Sequence, residues 1–295
     1  MKKLLVILGP TASGKSALAV ELARKFDGEV VSADSRQVYK DLNLASGKIT
    51  PEETKGVPHH LIDVTAITRV FSVEEFRKLA IKKIDEIWKQ GKLPILCGGS
   101  GFYIQAIVDN PDIPKVLPNQ KLRETLSKKS LEELGALLAS MDMKRFQSID
   151  QKNPRRLVRA IEIATALGKV PRLKKKGIEA ELLQIGIKTD NEILKKNIGK
   201  RLIDRFEKGM IEEIKALHAQ GVSWERLEEL GLESRFIALY IQGKMTEEEM
   251  KKKLLLESWK YAKRQKTWFK KDERIKWFDI DEKKKIKKEI SVFLK

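Results

Sequence analysis

Cysteine is almost missing from this chain. The single Cys97, set between Leu96 and Gly98, can close no internal disulfide and build no cysteine-rich zinc site. It reads as a small buried hydrophobe in a reducing compartment, which gives a cytoplasmic expectation. Histidine is nearly as scarce, with three residues. The pair His59-His60 has no further His or Cys set at ligand spacing, so zinc is excluded and the pair reads as structural, in a loop near the site. Long apolar runs are missing too. The opening "LLVILG" is too short to cross a bilayer, and no membrane partner is expected. Acidic residues are outnumbered, 42 against 60 Lys and Arg, for a net charge of +18. That excess points to a polyanionic partner, nucleic acid before membrane. On charge alone the competing reading is a Lys- and Glu-rich solvated surface of a heat-adapted protein. Hydrophobic residues, 41% of the chain, still supply a sizeable core for one large domain or two smaller ones.

Periodicity then orders the chain. Residues 3–8 are a short apolar run ended by Gly9, as in a strand buried on both faces. Ser16–Phe26 carries apolar residues at helical spacing, with Gly28 after it. "EVVSA" reads as a second strand, ending at Asp34. Residues 72–90 form an amphipathic helix with Ser72 and Glu75 as a capping box and Gly91 as its stop. "LPILCGG" is a third strand. Strand and helix in alternation predict an α/β fold, a doubly wound parallel sheet whose strand ends bring Gly9–Ser16, Asp34–Gln37 and Gly98–Tyr103 to one pocket. "DNPDIPKVLPNQK" concentrates three of the nine prolines and reads as a hinge. Helical patterns follow, then a strand at 182–189. The expected organisation is a core of residues 1–112 and 179–295 interrupted by a helical insertion, 113–178. "RIKWFDI" is the expected last strand, and the lysine-rich end reads as a short tail.

Gly9-Pro10-Thr11-Ala12-Ser13-Gly14-Lys15-Ser16 fits a glycine-rich phosphate loop at every fixed position, between a strand and a helix. Backbone N–H groups and the helix N-terminus receive the anion. Lys15 supplies charge for the terminal phosphates, and Ser16 can hold Mg²⁺. The loop reports a di- or triphosphate ligand, ATP included. It does not report the reaction. At the second strand end, Asp34 can cap a helix, ligate the metal or take a proton. With Ser35, Arg36 and Gln37 it also forms a hydrogen-bonding set suited to a heteroaromatic ring.

The words "GPTASGKS", "SADSRQVY", "VPHHLIDV", "PILCGGSGFYI", "NPRRLVRAIE", "RLIDRFEKGMIEEIKAL" and "AKRQKTWFKK" run in order over nearly the whole chain. In them the chain resembles the tRNA dimethylallyltransferases, also called tRNA isopentenyltransferases. The absence of a zinc-finger extension makes it similar to their bacterial type. The resemblance implies a P-loop NTPase-like core and transfer of a dimethylallyl group from dimethylallyl diphosphate to N6 of adenine 37, beside the anticodon of tRNAs reading codons that begin with U. The phosphate loop would then grip a leaving group. Asp34 is the implied general base, with Lys15 and Ser100 as its catalytic companions. Arg201 and Arg235 are the implied further diphosphate ligands. Asp34, Ser35, Arg36, Gln37 and Ser100 are placed at the acceptor base. Arg123, Arg155, Arg156 and Arg159 are placed on the tRNA, the last three on a helix whose Leu157, Val158, Ile161 and Ile163 pack elsewhere. Mg²⁺ is the implied cofactor, the anticodon stem-loop the implied partner, and a monomer the expected state. The chain departs from the family's pattern at Ser46-Gly47-Lys48-Ile49 and at "ESRF" around Arg235.

Residues 260–276 interleave Lys and Arg with Trp268 and Phe269, a mixture suited to RNA phosphates and bases. Trp259, Trp268 and Trp277 read equally as core anchors. Two enzymes of other kinds share the loop: a small-molecule or nucleotide kinase, and an adenylate isopentenyltransferase acting on free nucleotides. A kinase leaves the +18 charge and the basic insertion without a purpose. An RNA-binding protein with a dead site is opposed by the intact Lys15, Ser16 and Asp34.

Overall fold

The computed structural model describes residues 1–295. It divides into two compact units, Met1–Asp109 with Gly177–Lys295, and Asn110–Lys176. The first unit holds six strands: β1 (Lys3–Leu8), β2 (Gly28–Ser32), β3 (His59–His60), β4 (Leu93–Gly98), β5 (Glu181–Lys188) and β6 (Ile275–Asp279). They form one sheet in the order β3-β2-β4-β1-β5-β6, every pair parallel. Its helices are α1 (Lys15–Lys25), α2 (Pro51–Thr54), α3 (Val73–Lys89) and α4 (Gly101–Val108). After the second unit come α9 (Asn191–Glu207), α10 (Met210–Ala219), α11 (Trp224–Glu229), α12 (Leu232–Ile241), α13 (Glu247–Phe269) and α14 (Lys283–Leu294).

The period of two in β1 explains the layers. Leu4, Val6 and Leu8 enter one core with Val31, Leu96, the α3 residues Phe76, Ala80, Ile84 and Ile87, and Leu254 and Ala262 of α13. Leu5 and Ile7 enter the other with Val30, Ile95, Ile185, Leu18 and Leu22 of α1, and Ile286 and Ile290 of α14. Successive side chains point to opposite faces, so a run of consecutive apolar residues belongs where both faces are covered. The doubly wound parallel sheet expected from the sequence is the observed fold. Helix α3 starts as its capping box dictates, Ser72 Oγ accepting the Glu75 N–H at 3.2 Å and Glu75 Oε2 accepting the Ser72 N–H at 3.0 Å.

Two elements differ from the sequence reading. His59 and His60 are not in a loop but form the edge strand β3, registered against Val30 and Val31. There His60 Nε2 meets Glu29 Oε2 at 2.7 Å and Lys92 Nζ donates to the other oxygen at 2.6 Å. The lysine-rich end is not a tail. It is α14, held because Ile286 and Ile290, one turn apart, are fully buried while its lysines stay in water.

The second unit is helical: α5 (Gln120–Leu126), α6 (Leu131–Met141), α7 (Met143–Ser148) and α8 (Pro154–Leu167). Leu126, Leu134, Leu138, Leu157, Ala160 and Ile161 make its core. Asn153 caps α8 and Pro154 occupies its first turn, where no N–H is needed. A single bridge between Pro111 and Lys175 pairs the two ends of the unit. No helix of the chain is long and apolar enough to cross a membrane.

Candidate active site

The phosphate loop joins β1 to α1. Gly14 takes a left-handed φ of 84° at the helix N-cap, a conformation that suits glycine, and Ala12 holds a φ of 61°. Left-handed alanine costs about 1 kcal/mol, so the loop is kept curled by its surroundings. Asn197 of α9 reaches the Ala12 carbonyl at 3.4 Å. Gln265 of α13 accepts the Thr11 N–H at 2.9 Å. Lys15 Nζ donates to the Pro10 carbonyl at 3.0 Å. Ser16 is exposed at the first turn of α1. Ser13 is turned inward, its hydroxyl buried and without a partner.

Asp34 follows β2 in a tight turn. Its Oδ1 accepts the N–H of Arg36 at 2.8 Å and that of Gln37 at 3.4 Å, so the carboxylate is fixed by its own backbone. Gln37 is held in turn, its Nε2 donating to the Gly47 carbonyl at 3.1 Å. Behind it, Glu213 accepts the N–H groups of Asn43, Leu44 and Ala45 at 2.8–3.0 Å. Lys48 donates to the Tyr39 carbonyl at 3.0 Å and to Asn43 Oδ1 at 2.8 Å, and also pairs with Asp63. Lys48 therefore closes this loop from within.

The third strand end joins the second. Ser100 N–H donates to the Ala33 carbonyl at 3.3 Å, and Ser100 Oγ accepts the Ser35 N–H at 3.1 Å. The three stretches that the sequence sent to one pocket are thus side by side. Electrostatics links them further. Burial holds the Lys15 ammonium below its ordinary range, Arg201 adds to the effect, and Cys97 and Asp34 oppose it. Burial likewise pulls the Arg201 guanidinium of α9 down to about 10, with Arg205 adding and Glu233 and Asp34 opposing. Arg201 nonetheless keeps an exposed side chain. Both facts fit a residue on the wall of a cleft, surrounded by protein and open to a ligand. Two cations poorly hydrated at one place favour an anion between them. Tyr261 of α13 stands over the same ground. Its hydroxyl is pushed up to about 12, mainly by lost hydration, with Asp34 adding to the effect and Arg36 opposing it.

Arg235 is engaged elsewhere. Its Nε donates to the Glu228 carbonyl at 2.9 Å, tying α12 to α11, and no contact joins it to the phosphate loop. In the second unit Arg123 and Arg159 are also occupied. Glu162, 2% exposed, accepts Arg123 Nε and Nη2 at 2.7 and 2.8 Å and Arg159 Nη1 at 3.1 Å. Arg155 and Arg156 stand exposed at the start of α8, with Arg156 3.4 Å from Asp150.

Gln265, Asn197 and Tyr261 were not among the residues singled out in the sequence. All three lie far along the chain from the motifs they touch. Gln265 and Tyr261 do sit in and beside "AKRQKTWFKK", where the eye falls on cations and tryptophan. Of those tryptophans, Trp259 and Trp277 pack against the core, whereas Trp268 is 39% exposed. Its ring joins Lys260, Lys263, Arg264, Thr267 and Lys271 along an open groove.

Comparison with known proteins agrees with this geometry. The IPP transferase family model matches residues 37–272, a stretch that begins after the phosphate loop and so adds to it independently. A "tRNA dimethylallyltransferase 1" of Syntrophus aciditrophicus is 40% identical over 98% of this chain and 98% of its own. A "tRNA dimethylallyltransferase 2" of Treponema denticola is 42% identical over 91% of this chain and 92% of its own. Among solved structures, a tRNA isopentenylpyrophosphate transferase of Bacillus halodurans superposes with a TM-score of 0.75 at 33% identity, covering 99% of this chain and 96% of the other. A eukaryotic dimethylallyltransferase acting on tRNA superposes with a TM-score of 0.73 at 26% identity, covering 91% and 70%. Matched along nearly its full length by sequence and by fold, the chain belongs to the IPP transferase family.

Proposed function

We propose that this protein transfers a dimethylallyl group from dimethylallyl diphosphate to N6 of adenine 37 in tRNAs that read codons beginning with U. Relatives of 40–42% identity carry the name of that activity. The observation that carries the reading is the fixed Asp34 carboxylate. Its charge is felt by both Lys15 and Arg201, so a proton acceptor and an anion cradle serve one cleft.

The step balances simply. The N6 nitrogen forms a bond to the allylic carbon while that carbon's bond to the diphosphate oxygen breaks. The N6 proton passes to Asp34, and diphosphate leaves with the bond's electron pair. The exocyclic amine is a weak nucleophile, because its lone pair is spread into the ring. A positioned base is worth about 10²–10⁴ in rate. Lys15, Arg201 and the loop's N–H groups hold the charge that grows on the leaving group. Ser35, Arg36, Gln37 and Ser100 hold the extruded base and its neighbours.

Mg²⁺ fits the donor set. Ser16 offers one exposed hydroxyl beside the cradle, and no group of three or more His, Cys, Asp or Glu forms a cage elsewhere. That suits an ion held by a hydroxyl, substrate phosphates and water. When bound it would neutralise phosphate charge. Arg155 and Arg156 offer an exposed cationic face on the second unit for RNA phosphates, and Arg123 and Arg159 hold a fixed place beside it. The protein is taken to act in the cytoplasm as a monomer.

The test is mass spectrometry of nucleosides after incubation with dimethylallyl diphosphate, Mg²⁺ and either an anticodon stem-loop RNA or free AMP. Gain of one five-carbon unit on adenosine of the RNA supports the reading. Modification of AMP alone, or none at all, refutes it.

A further inference from the structure

Gln265 spends both ends of its carboxamide on the active site's backbone. Its Oε1 accepts the Thr11 N–H of the phosphate loop at 2.9 Å, and its Nε2 donates to the Gly99 carbonyl at 2.8 Å, beyond the end of β4. The side chain is 7% exposed, so it reaches these partners as a buried strut rather than as a ligand-binding group. Gly99 is the point where the two loops meet: a Cβ placed there would lie 3.3 Å from the Gly9 carbonyl and 3.5 Å from Lys15 Nζ. The next residue, Ser100, anchors Ser35 and with it the turn that fixes Asp34. One turn away on α13, the Trp268 indole lies against Gly101, where any Cβ would collide with it.

From this we infer that Gln265 is a positioning residue, which sets the register between the diphosphate cradle and the turn that carries the acceptor-base residues. The inference rests on the proposed prenyl transfer. Transfer needs the allylic carbon and N6 at near-attack distance, one held through the cradle and the other through the Asp34–Ser100 turn. The two half-sites bind their substrates separately. Their mutual alignment passes through the Thr11–Gln265–Gly99 bridge. Misplacement by about 1 Å costs on the order of 10² in rate. Loss of the bridge should therefore lower turnover and leave each binding step nearly intact.

The variants are Gln265→Met, which keeps length and removes both hydrogen bonds, and Gln265→Glu, which keeps the acceptor for Thr11 but loses the donor to Gly99 until the introduced carboxyl is protonated. For Gln265→Met, kcat for prenyl transfer to the stem-loop RNA falls about 10- to 100-fold. KM for dimethylallyl diphosphate, affinity for inorganic pyrophosphate and affinity for the RNA stay within about threefold, assayed well below the variant's melting temperature. For Gln265→Glu, activity relative to wild type rises as pH falls from 8 to 6. The positioning role is overturned if kcat stays within about twofold of wild type, or if pyrophosphate affinity falls as much as kcat. A relative activity of Gln265→Glu that is flat with pH also overturns it. A wild-type protein that transfers no prenyl group refutes the underlying reading instead, so the two failures stay distinct.

Discussion

Ser35 donates its backbone N–H to the hydroxyl of Ser100 at 3.1 Å, fastening the end of β2 to the end of β4. The same Ser100 hydroxyl donates to the hydroxyl of Ser35 at 3.4 Å, so a single atom holds the Asp34 turn at two points. Ser100→Ala removes it. A neutral hydrogen bond of this kind contributes about 1 kcal/mol, so the fold should survive. Turnover should fall about tenfold through loosened placement of Asp34, and Ser100→Thr should restore most of it. Steady-state rates beside a thermal melt decide the matter. An unchanged rate for Ser100→Ala would remove that hydroxyl from the site's architecture.

Asp34→Asn is the sharpest change available at the carboxylate. The amide keeps an oxygen for the N–H groups of Arg36 and Gln37, so the turn keeps its shape. What disappears is the proton acceptor. Turnover should drop by about 10²–10⁴ while affinity for the stem-loop RNA stays within a few-fold. Normal turnover would mean that another group takes the N6 proton.

Arg155 and Arg156 are exposed at the first turn of α8, and their removal disturbs little packing. The double change to Ala should weaken RNA binding and leave pyrophosphate affinity as it was. If each arginine neutralises one phosphate, the slope of log affinity against log salt should become shallower by about 1.4–1.8. An unchanged slope would take this face out of the RNA contact.

The sequence exposed the parts of the molecule that follow local rules. The β1 run, the Ser72–Glu75 capping box and the phosphate loop each encode their structure within a few residues, and each appears where it was read. The convergence of Gly9–Ser16, Asp34–Gln37 and Gly98–Tyr103 was legible because parallel topology sends strand ends to one side. What escaped was long-range. Gln265 meets Thr11 across 254 residues and Gly99 across 166, and no spacing rule announces such a pair. Helix α14 escaped because five lysines among its twelve residues hid the two isoleucines that anchor it. The arginines of the second unit show the limit of reading charge alone. Arg123 and Arg159 look like free cations in the sequence, and a buried Glu162 claims both.

That clasp gives the second unit a pH signature. Burial alone would push the Glu162 carboxyl up, but the bonds from Arg123, the Asn119 N–H and Arg159 outweigh it and draw it from 4.5 down to about 2. A carboxylate with a depressed folded-state value contributes stability that is fully present above its unfolded value. The contribution fades as pH falls from about 4.5 toward 2. At 1.36 kcal/mol per unit the upper bound is about 3 kcal/mol, and the partly exposed arginines place the working value nearer 2. Glu162→Gln should therefore unfold more easily than wild type at pH 7, with the loss seen first in hydrogen exchange of α5 and α8. Other depressed carboxylates weaken both proteins alike in acid, so the difference between the two isolates position 162. That difference should shrink steadily between pH 5 and pH 3. A gap that persists undiminished at pH 3 would show that the Glu162 side chain acts by shape and not by charge.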